Sequence, residues 1–219
     1  MTGVQTCALP ILKPSLVIIP TNPVQLRQRL EALHLRVLEL DQEGIPALYK
    51  SFRVVGEATG SRDRAEKLTR DVQGQLAAIQ AKSAKLKPAR VMFVVARTPG
   101  SLDGLMVAGE ASYLNEIIAI AGGVNVFKDA RSAYPKVSLE EVLARNPDVI
   151  IDMGEMADTV GVSDAQKSKV VGLWSRMSSI GAVRTRRVHA VASDIFVVPG
   201  PRVVDAAQAF FTLLHPEAK

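Results

Sequence analysis

The sequence predicts an α/β protein whose helices alternate with the strands of mainly parallel sheets, and three observations carry this prediction. Leu16–Ile19 and Val149–Asp152 are short apolar stretches, and each follows a Lys-Pro or Asn-Pro step that disfavours helix. Val91–Val95 is apolar at every position, as expected for a strand buried on both faces. Segments with helical spacing of apolar residues lie between these strands. Because the same helix-stop-strand pattern occurs early and late, we expect two similarly built lobes with a binding cleft between them.

The elements expected before Pro88 follow from apolar spacing and capping residues. Leucines three or four residues apart predict a helix over Val24–Leu33, and alternation predicts a strand over Arg36–Leu40. A short helix is expected over Pro46–Gly60. Ser61 can then cap a helix of about 36 Å over Arg62–Lys85, which would join the two lobes.

The second half alternates in the same way. Ser112 is expected to cap a helix that Gly122-Gly123 ends, and Ser138-Leu139-Glu140-Glu141 reads as a capping box at the start of another. The remaining expected elements are helix Asp164–Trp174, strand Val188–Ala192 and helix Val203–Leu214.

Composition restricts the function classes. The chain has 219 residues, 47% of them hydrophobic, which is enough to bury the core of one large or two small domains. No run of 18 apolar residues occurs. The net charge of +5 and the aromatic content of 5% favour no nucleic-acid partner. Arg184, Arg186 and Arg187 form the one basic cluster, and a solvated loop is its favoured interpretation.

We expect the first eleven residues to have a different origin from the rest. Met1–Ile11 reads like a translated sequencing-library adapter, so we expect it, with the single cysteine Cys7, to be foreign to the natural protein. The domain boundaries predicted for the remainder are 12–60 for the first lobe, 61–87 for the linking helix and 88–219 for the second lobe.

The search for catalytic chemistry finds little. The sequence has no phosphate-binding glycine loop and no nucleophile elbow. His34, His189 and His215 stand apart, with no helical ligand spacing between them. We therefore expect a binding protein with no catalytic residues, no metal site and no resident cofactor.

A binding surface is predicted instead from loop residues near strand ends. Aromatic rings in such loops suit a flat, partly apolar ligand. The candidate ligand-binding residues are Tyr134, Arg97, Thr98, Phe127, Trp174 and Phe196. For Phe127 and Trp174, a role in sealing the core is an equally open interpretation. Tyr134 precedes a proline in a loop and is expected to be exposed.

Several stretches resemble a known family. They are similar to the second lobe of the cobalamin-binding proteins of ABC importers and cover residues 109–116, 121–127, 134–143 and 146–151. The Gly-Gly-Val-Asn-Val-Phe and Tyr-Pro motifs lie within these ranges. The wider group also takes haem and ferric siderophores. The resemblance runs from about Leu12 to Pro216, including the closing Val-Pro-Gly-Pro-Arg motif at 198–202.

The resemblance implies a class III periplasmic binding protein with two lobes joined by one long helix and little hinge motion. It implies a monomer in the periplasm or tethered outside the membrane, with cobalamin, haem or a ferric siderophore as ligand and an ABC importer permease as partner. Family members dock on the permease through one acidic residue on each lobe. For the second lobe, the resemblance implies Glu110 as the first candidate and Glu116 as the second. The matching start of the first-lobe helix, Asn22-Pro23-Val24-Gln25, has no acid, and that lobe is expected to be incomplete.

Two other function classes stay open from the sequence. One is a metal chelatase-like enzyme on a related two-lobed scaffold, which would need histidines or an acidic pair converging on one cleft. The other is a cytoplasmic regulatory or interaction domain.

Overall fold

The computed structural model describes residues 12–21, 25–41, 43–154, 163–196 and 198–218. The predicted adapter-like segment Met1–Ile11 lies outside these residues, and so does the predicted start of the first helix at Val24.

The first sheet has two parallel strands, β1 (Val17–Pro20) and β2 (Val37–Leu40), with Val17 paired to Val37 and Pro20 to Leu40. Helix α1 (Leu26–Ala32) makes the crossover between them, as a parallel pair requires. Leu30 is buried, whereas Leu33, which was predicted to be the last residue of this helix, follows the helix and is 46% exposed.

Two helices in succession follow this sheet, α2 (Gly44–Ala58) and α3 (Arg62–Ser83). Helix α3 buries one apolar stripe, whose members include Ala65, Val72, Leu76 and Ile79. Ser61 stands at the N-cap of α3, but its side chain makes no capping hydrogen bond, so its predicted capping role is wrong. Helix α3 packs against α2.

The second sheet is built around β3 (Ala89–Ala96), whose parallel neighbours are β6 (Val149–Asp152) on one side and β5 (Gly123–Asn125) on the other. Strand β7 (Val188–Ala190) extends the sheet beyond β6. The two-residue strand β4 (Met106–Val107) pairs antiparallel with the end of β3. Neither β4 nor β5 was predicted.

Helices cover both faces of this sheet. Alternate residues of β3 enter two separate cores, Val91 and Phe93 in one and Met92 and Val94 in the other. The first core includes residues of α2, α3, α4 (Tyr113–Ile120) and α8 (Val203–Leu214). The second includes Val142 of α5 and Trp174 of α6. Three helices lie between α4 and α8 along the described chain: α5 (Leu139–Arg145), α6 (Asp164–Trp174) and the short α7 (Gly181–Arg184) before β7.

Serine caps begin three of these helices. Ser112 accepts a hydrogen bond from the amide of Leu114 at 3.2 Å, as predicted. Ser138 accepts from the amide of Glu141, also at 3.2 Å. The reciprocal capping box, however, is formed at α6, where the side chain of Gln166 reaches back to the amide of Ser163.

Among the residues that the structure describes, none of the helices is both long and apolar enough to span a lipid bilayer. Helix α3 also contacts α4 and α8 of the later part of the chain. Its buried stripe is therefore shared between elements that precede it and elements that follow it.

Candidate functional site

A cleft of about 690 Å³ opens between loops of the two sheets. Its volume lies within the range of about 300–1,000 Å³ that is common for small-molecule sites. The lining residues from before α3 are Pro20, Thr21, Asp41 and Glu43. The lining residues from after α3 are Ala111, Ser112, Tyr113, Ala133, Tyr134 and Pro199.

The first sheet positions one wall of the cleft. Thr21 and Asp41 directly follow the carboxyl ends of β1 and β2, and the amide of Thr21 donates to the carbonyl of Leu40 at 2.9 Å. Asp41 accepts a hydrogen bond of 2.9 Å from the amide of Glu43, which orients its carboxylate. Loops at the carboxyl ends of parallel strands are the usual ligand-binding positions of α/β folds.

Tyr113, the first residue of α4, contributes to the opposite wall. Its hydroxyl donates a 2.5 Å hydrogen bond to the carbonyl of Phe196, and the side chain is largely buried. Burial raises the pKa of Tyr113 well above its usual range. The hydroxyl therefore stays protonated and links α4 to the loop that carries Pro199.

The loop with Tyr134 is held against the sheet by backbone hydrogen bonds. The amide of Gly109 donates to the carbonyl of Ala133, and the amide of Val107 donates to the carbonyl of Pro135. A Cβ atom at Gly109 would lie 2.1 Å from the carbonyl oxygen of Ser132, so only glycine permits this approach. Tyr134 itself is 39% exposed, as its position in a loop predicted.

Arg97 and Thr98 were predicted as ligand-binding residues, but they do not line the cleft. The Arg97 side chain is buried, and its Nε donates to Oδ2 of Asp152 at 3.0 Å. Asp152 also accepts from Nε1 of Trp174 and from the amide of Gly154, each at 2.7 Å. The geometry therefore gives Arg97 a structural contact in the second lobe, because its charge is compensated inside the protein.

Three aromatic rings predicted near the ligand are buried in the protein. Phe127 and Trp174 are fully buried in the second core, which contains Met92 and Val94 of β3. This is the role in sealing the core that the sequence left open. The guanidinium of Arg145 covers the Phe127 ring at 4.5 Å. Phe196 is 3% exposed and packs against Phe93 and Phe210. These rings belong to the two cores and do not face solvent.

The two acidic residues predicted for docking occupy different environments. Glu110 is exposed on the loop before α4. Glu116 is half-buried, and its Oε2 accepts a 3.1 Å hydrogen bond from the amide of Ile45 in the first turn of α2. The carboxylate of Glu116 is thus engaged within the protein.

Asp41, Glu43, Thr21 and Tyr113 were missed as lining residues. Thr21 lies two residues after the predicted strand Leu16–Ile19, and Asp41 lies one residue after the predicted strand Arg36–Leu40; these positions were the signal that could have identified them. Glu43 and Tyr113 have no such signal, because their place at the cleft depends on how α2 and α4 pack.

A second cavity of about 390 Å³ lies between α2, α3 and the loop 199–201. Its wall is mostly aliphatic, with Phe52 as its one aromatic ring among the described residues. The cleft is the stronger candidate because it combines an exposed aromatic ring with polar groups from both sheets. In the described part of the chain, no group of three or more His, Cys, Asp or Glu side chains is placed to hold a metal ion.

Comparison with known proteins decides the family. A family described as periplasmic binding protein matches residues 8–194. The chain belongs to the periplasmic binding protein family. A vitamin B12-binding protein of Salmonella typhimurium is 27% identical over 199 residues, which are 90% of this chain and 68% of the relative. An uncharacterized ABC transporter substrate-binding lipoprotein of Bacillus subtilis is 24% identical over 211 residues, which are 94% of this chain and 63% of the relative.

The periplasmic binding protein fold is also found by comparison with solved structures. The periplasmic heme-binding protein of Roseiflexus sp. RS-1, in its apo form, has a TM-score of 0.77 and 25% identity, with 97% of this chain and 80% of that chain covered. The predicted fold class, α/β with parallel-dominated sheets of the class III type, is confirmed. The chain spans 63% to 68% of the length of the two curated relatives described above.

Proposed function

We propose that this chain captures cobalamin, or a related metal chelate such as haem or a ferric siderophore, and delivers it to an ABC importer. The observation that carries the proposal is the 690 Å³ cleft between the two sheets, found in a member of the periplasmic binding protein family. The vitamin B12-binding and heme-binding proteins to which the chain is similar support the choice of a broad, flat chelate.

In the proposal, the ligand is cargo and no bond is made or broken. The exposed ring of Tyr134 and the apolar faces of Pro20 and Pro199 would cover a macrocycle, while Thr21 and the carboxylates of the first wall would meet its polar edge. Burial of apolar surface contributes about 25 cal/mol per Å² before the cost of association is subtracted.

We also propose that binding moves the two walls little. The hydrogen bond from Ile45 to Glu116 and that from Tyr113 to Phe196 both join elements on which the walls are built. The buried stripe of α3 packs against elements on both sides. Such contacts would have to break if the walls moved far apart.

For docking on the permease, we propose Glu110 in preference to Glu116. Glu110 is exposed and has no ion-pair partner within 4 Å among the described residues. It is therefore available to an arginine of a permease. The family and its lipoprotein relative support a location in the periplasm or tethered outside the membrane. We propose that the chain acts there as a monomer.

The test is calorimetric titration of the chain with cyanocobalamin, haem and a ferric siderophore. Saturable binding of at least one chelate is expected. Thr21→Trp should block the cleft and abolish that binding, whereas Thr212→Trp, on the exposed face of α8, should leave it unchanged. Flat titrations with all three chelates, or equal binding by the Thr21→Trp variant, would contradict the proposal.

A further inference from the structure

The charge of the cleft is one-sided. Asp41 and Glu43 contribute carboxylates, and among the described lining residues there is no Lys, Arg or His. The chain as a whole carries a net charge of +5, so this acidic wall opposes the overall balance. Two further carboxylates stand close by along the chain, Glu110 next to Ala111 and Glu116, whose carboxylate reaches the first turn of α2.

The two wall carboxylates are not neutralised by ion pairs. Within the described residues, neither Asp41 nor Glu43 has a cationic group within 4 Å. Arg27 and Lys50 share one neighbouring cavity with Asp41, and Arg64 shares another, but none of the three is ion-paired with it. Arg27 is paired with Glu31 and Glu39 instead. A ligand entering the cleft would therefore meet two negative charges that are exposed to solvent.

We propose that Asp41 and Glu43 make the cleft select chelates whose peripheral groups are amides or amines and reject chelates with peripheral carboxylates. This inference rests on the proposed function and narrows its ligand class. Carboxylate oxygens accept hydrogen bonds from N–H donors, and these charge-assisted bonds are stronger than neutral ones. A carboxylate on the ligand would be repelled by Asp41 and Glu43, and such repulsion between like charges disfavours the binding of wrong partners.

The three candidate ligands differ in this respect. The corrin ring of cobalamin bears amide side chains around its edge, and these present N–H donors without a negative charge. Haem carries two propionates, and many ferric siderophores are anionic. The acidic wall thus favours the corrinoid over haem and over anionic siderophores at one and the same cleft.

The experiment compares two ligands of one shape. Cyanocobalamin and its monocarboxylate, in which one peripheral amide is hydrolysed, are titrated into the chain at low ionic strength, with hemin as a second anionic probe. We expect binding of the amide form to be about tenfold tighter than binding of the monocarboxylate. A difference of this order is expected when the added carboxylate is repelled by two partly screened carboxylates of the cleft. In the variant Asp41→Asn/Glu43→Gln, this ratio should fall close to one.

The control variant Glu57→Gln/Glu66→Gln removes the same number of charges from exposed positions on α2 and α3 and should keep the tenfold ratio. A measurement on the unchanged chain gives an independent check. Raising the salt concentration screens exposed charges, so the monocarboxylate should then bind nearly as well as the amide form.

The outcomes separate the two proposals. If cyanocobalamin and its monocarboxylate bind with equal affinity, the charge selectivity is overturned and the proposed function stands. The same holds if neither salt nor Asp41→Asn/Glu43→Gln changes the ratio of the two affinities. Failure of every ligand to bind the unchanged chain overturns the proposed function and the selectivity with it.

Discussion

The carboxylate of Glu116 on α4 accepts a hydrogen bond from the backbone amide of Ile45 in the first turn of α2, with an oxygen–nitrogen distance of 3.1 Å. The two residues are 71 positions apart in the sequence, on opposite sides of the long helix α3. The amide belongs to a helix terminus, whose partial positive charge favours a carboxylate. Gly44 allows this approach, because a Cβ atom there would lie 2.4 Å from the Glu116 Oε1 atom.

Removing this contact should destabilise the protein. Glu116→Ala leaves the Ile45 amide without its acceptor, and we expect a loss of about 1–2 kcal/mol in the free energy of unfolding. Glu116→Gln keeps an acceptor oxygen and should cost less. Urea unfolding measures both, with the exposed Glu110→Ala as the control. Equal stability of Glu116→Ala and Glu110→Ala would show that the contact contributes nothing.

Asp152 should be the most sensitive polar position of the second lobe. Its fully buried carboxylate accepts hydrogen bonds from Arg97, Trp174 and Gly154. Asp152→Asn removes a fully buried negative charge and turns an amide group toward these donors, so we expect a loss of about 3 kcal/mol or more.

The matched control for this carboxylate is Asp71→Asn, which breaks the exposed ion pair between Lys67 and Asp71 on α3. Exposed pairs contribute little, so its unfolding midpoint in urea should stay close to that of the unchanged chain. A loss for Asp152→Asn no larger than that of Asp71→Asn would contradict the structural role of the buried carboxylate.

Alkaline pH should destabilise the fold through Tyr113. Burial raises its pKa in the folded state, whereas in the unfolded chain it ionises near pH 10. Above about pH 10 the unfolded state therefore binds fewer protons than the folded state. The contribution of Tyr113 to the free energy of unfolding is complete below pH 10 and is lost as the pH rises, by up to about 1.4 kcal/mol per pH unit.

Tyr113→Phe removes the ionisable hydroxyl and serves as the reference. Urea unfolding at pH 8 and pH 10.5 should show a larger loss of stability for the unchanged chain than for the variant. The variant should also have a lower free energy of unfolding than the unchanged chain at pH 8, because the carbonyl of Phe196 loses its hydrogen-bond donor. Identical losses between the two pH values would mean that the hydroxyl ionises as freely in the folded protein as in the unfolded one.

Tyr134 should contribute to ligand affinity without contributing much to stability. Its ring is 39% exposed at the cleft, so Tyr134→Ala removes a contact surface for the ligand and little of the core. We expect the affinity for the bound chelate to fall by about tenfold, because an aromatic contact contributes about 0.5–1.5 kcal/mol in addition to the apolar area that it buries.

Two comparisons define the role of the ring. Tyr134→Phe keeps the aromatic face and should bind almost as well as the unchanged chain. Leu143→Ala, at an exposed apolar position of α5 away from the cleft, should leave affinity unaltered. Unchanged calorimetric affinity in Tyr134→Ala would remove this ring from the site.

Apolar periodicity was sufficient to predict the main elements of the fold. The predicted bounds of β6, α6 and α8 agree with the structure. Strand β6 and helix α8 carry apolar patterns of their own, whereas α6 buries Val170 and Trp174 and begins at the Ser163–Gln166 capping box. The strands β4 and β5, of two and three residues, have no pattern of their own and exist only because β3 offers them an edge. Such partner-dependent strands cannot be found from local sequence.

The site was less predictable than the fold. Tyr134 was correctly expected to be exposed, but Trp174 and Phe127 follow the same loop-aromatic pattern and are covered by the second core. Local sequence does not tell whether a neighbouring element, here Arg145 over Phe127, closes above a ring. Asp41 was within reach of prediction, since it directly follows a predicted parallel strand.

The central claim is that the cleft between the two sheets holds the chelate, and the cobalt of cyanocobalamin offers a direct test. A crystal of the chain grown with cyanocobalamin and measured at the cobalt absorption edge would locate the metal by its anomalous scattering. The account predicts one strong cobalt peak in the cleft between Thr21 and Tyr134. A cobalt peak elsewhere, such as the aliphatic cavity beside Phe52, or no peak in the cleft at saturating ligand, would contradict it.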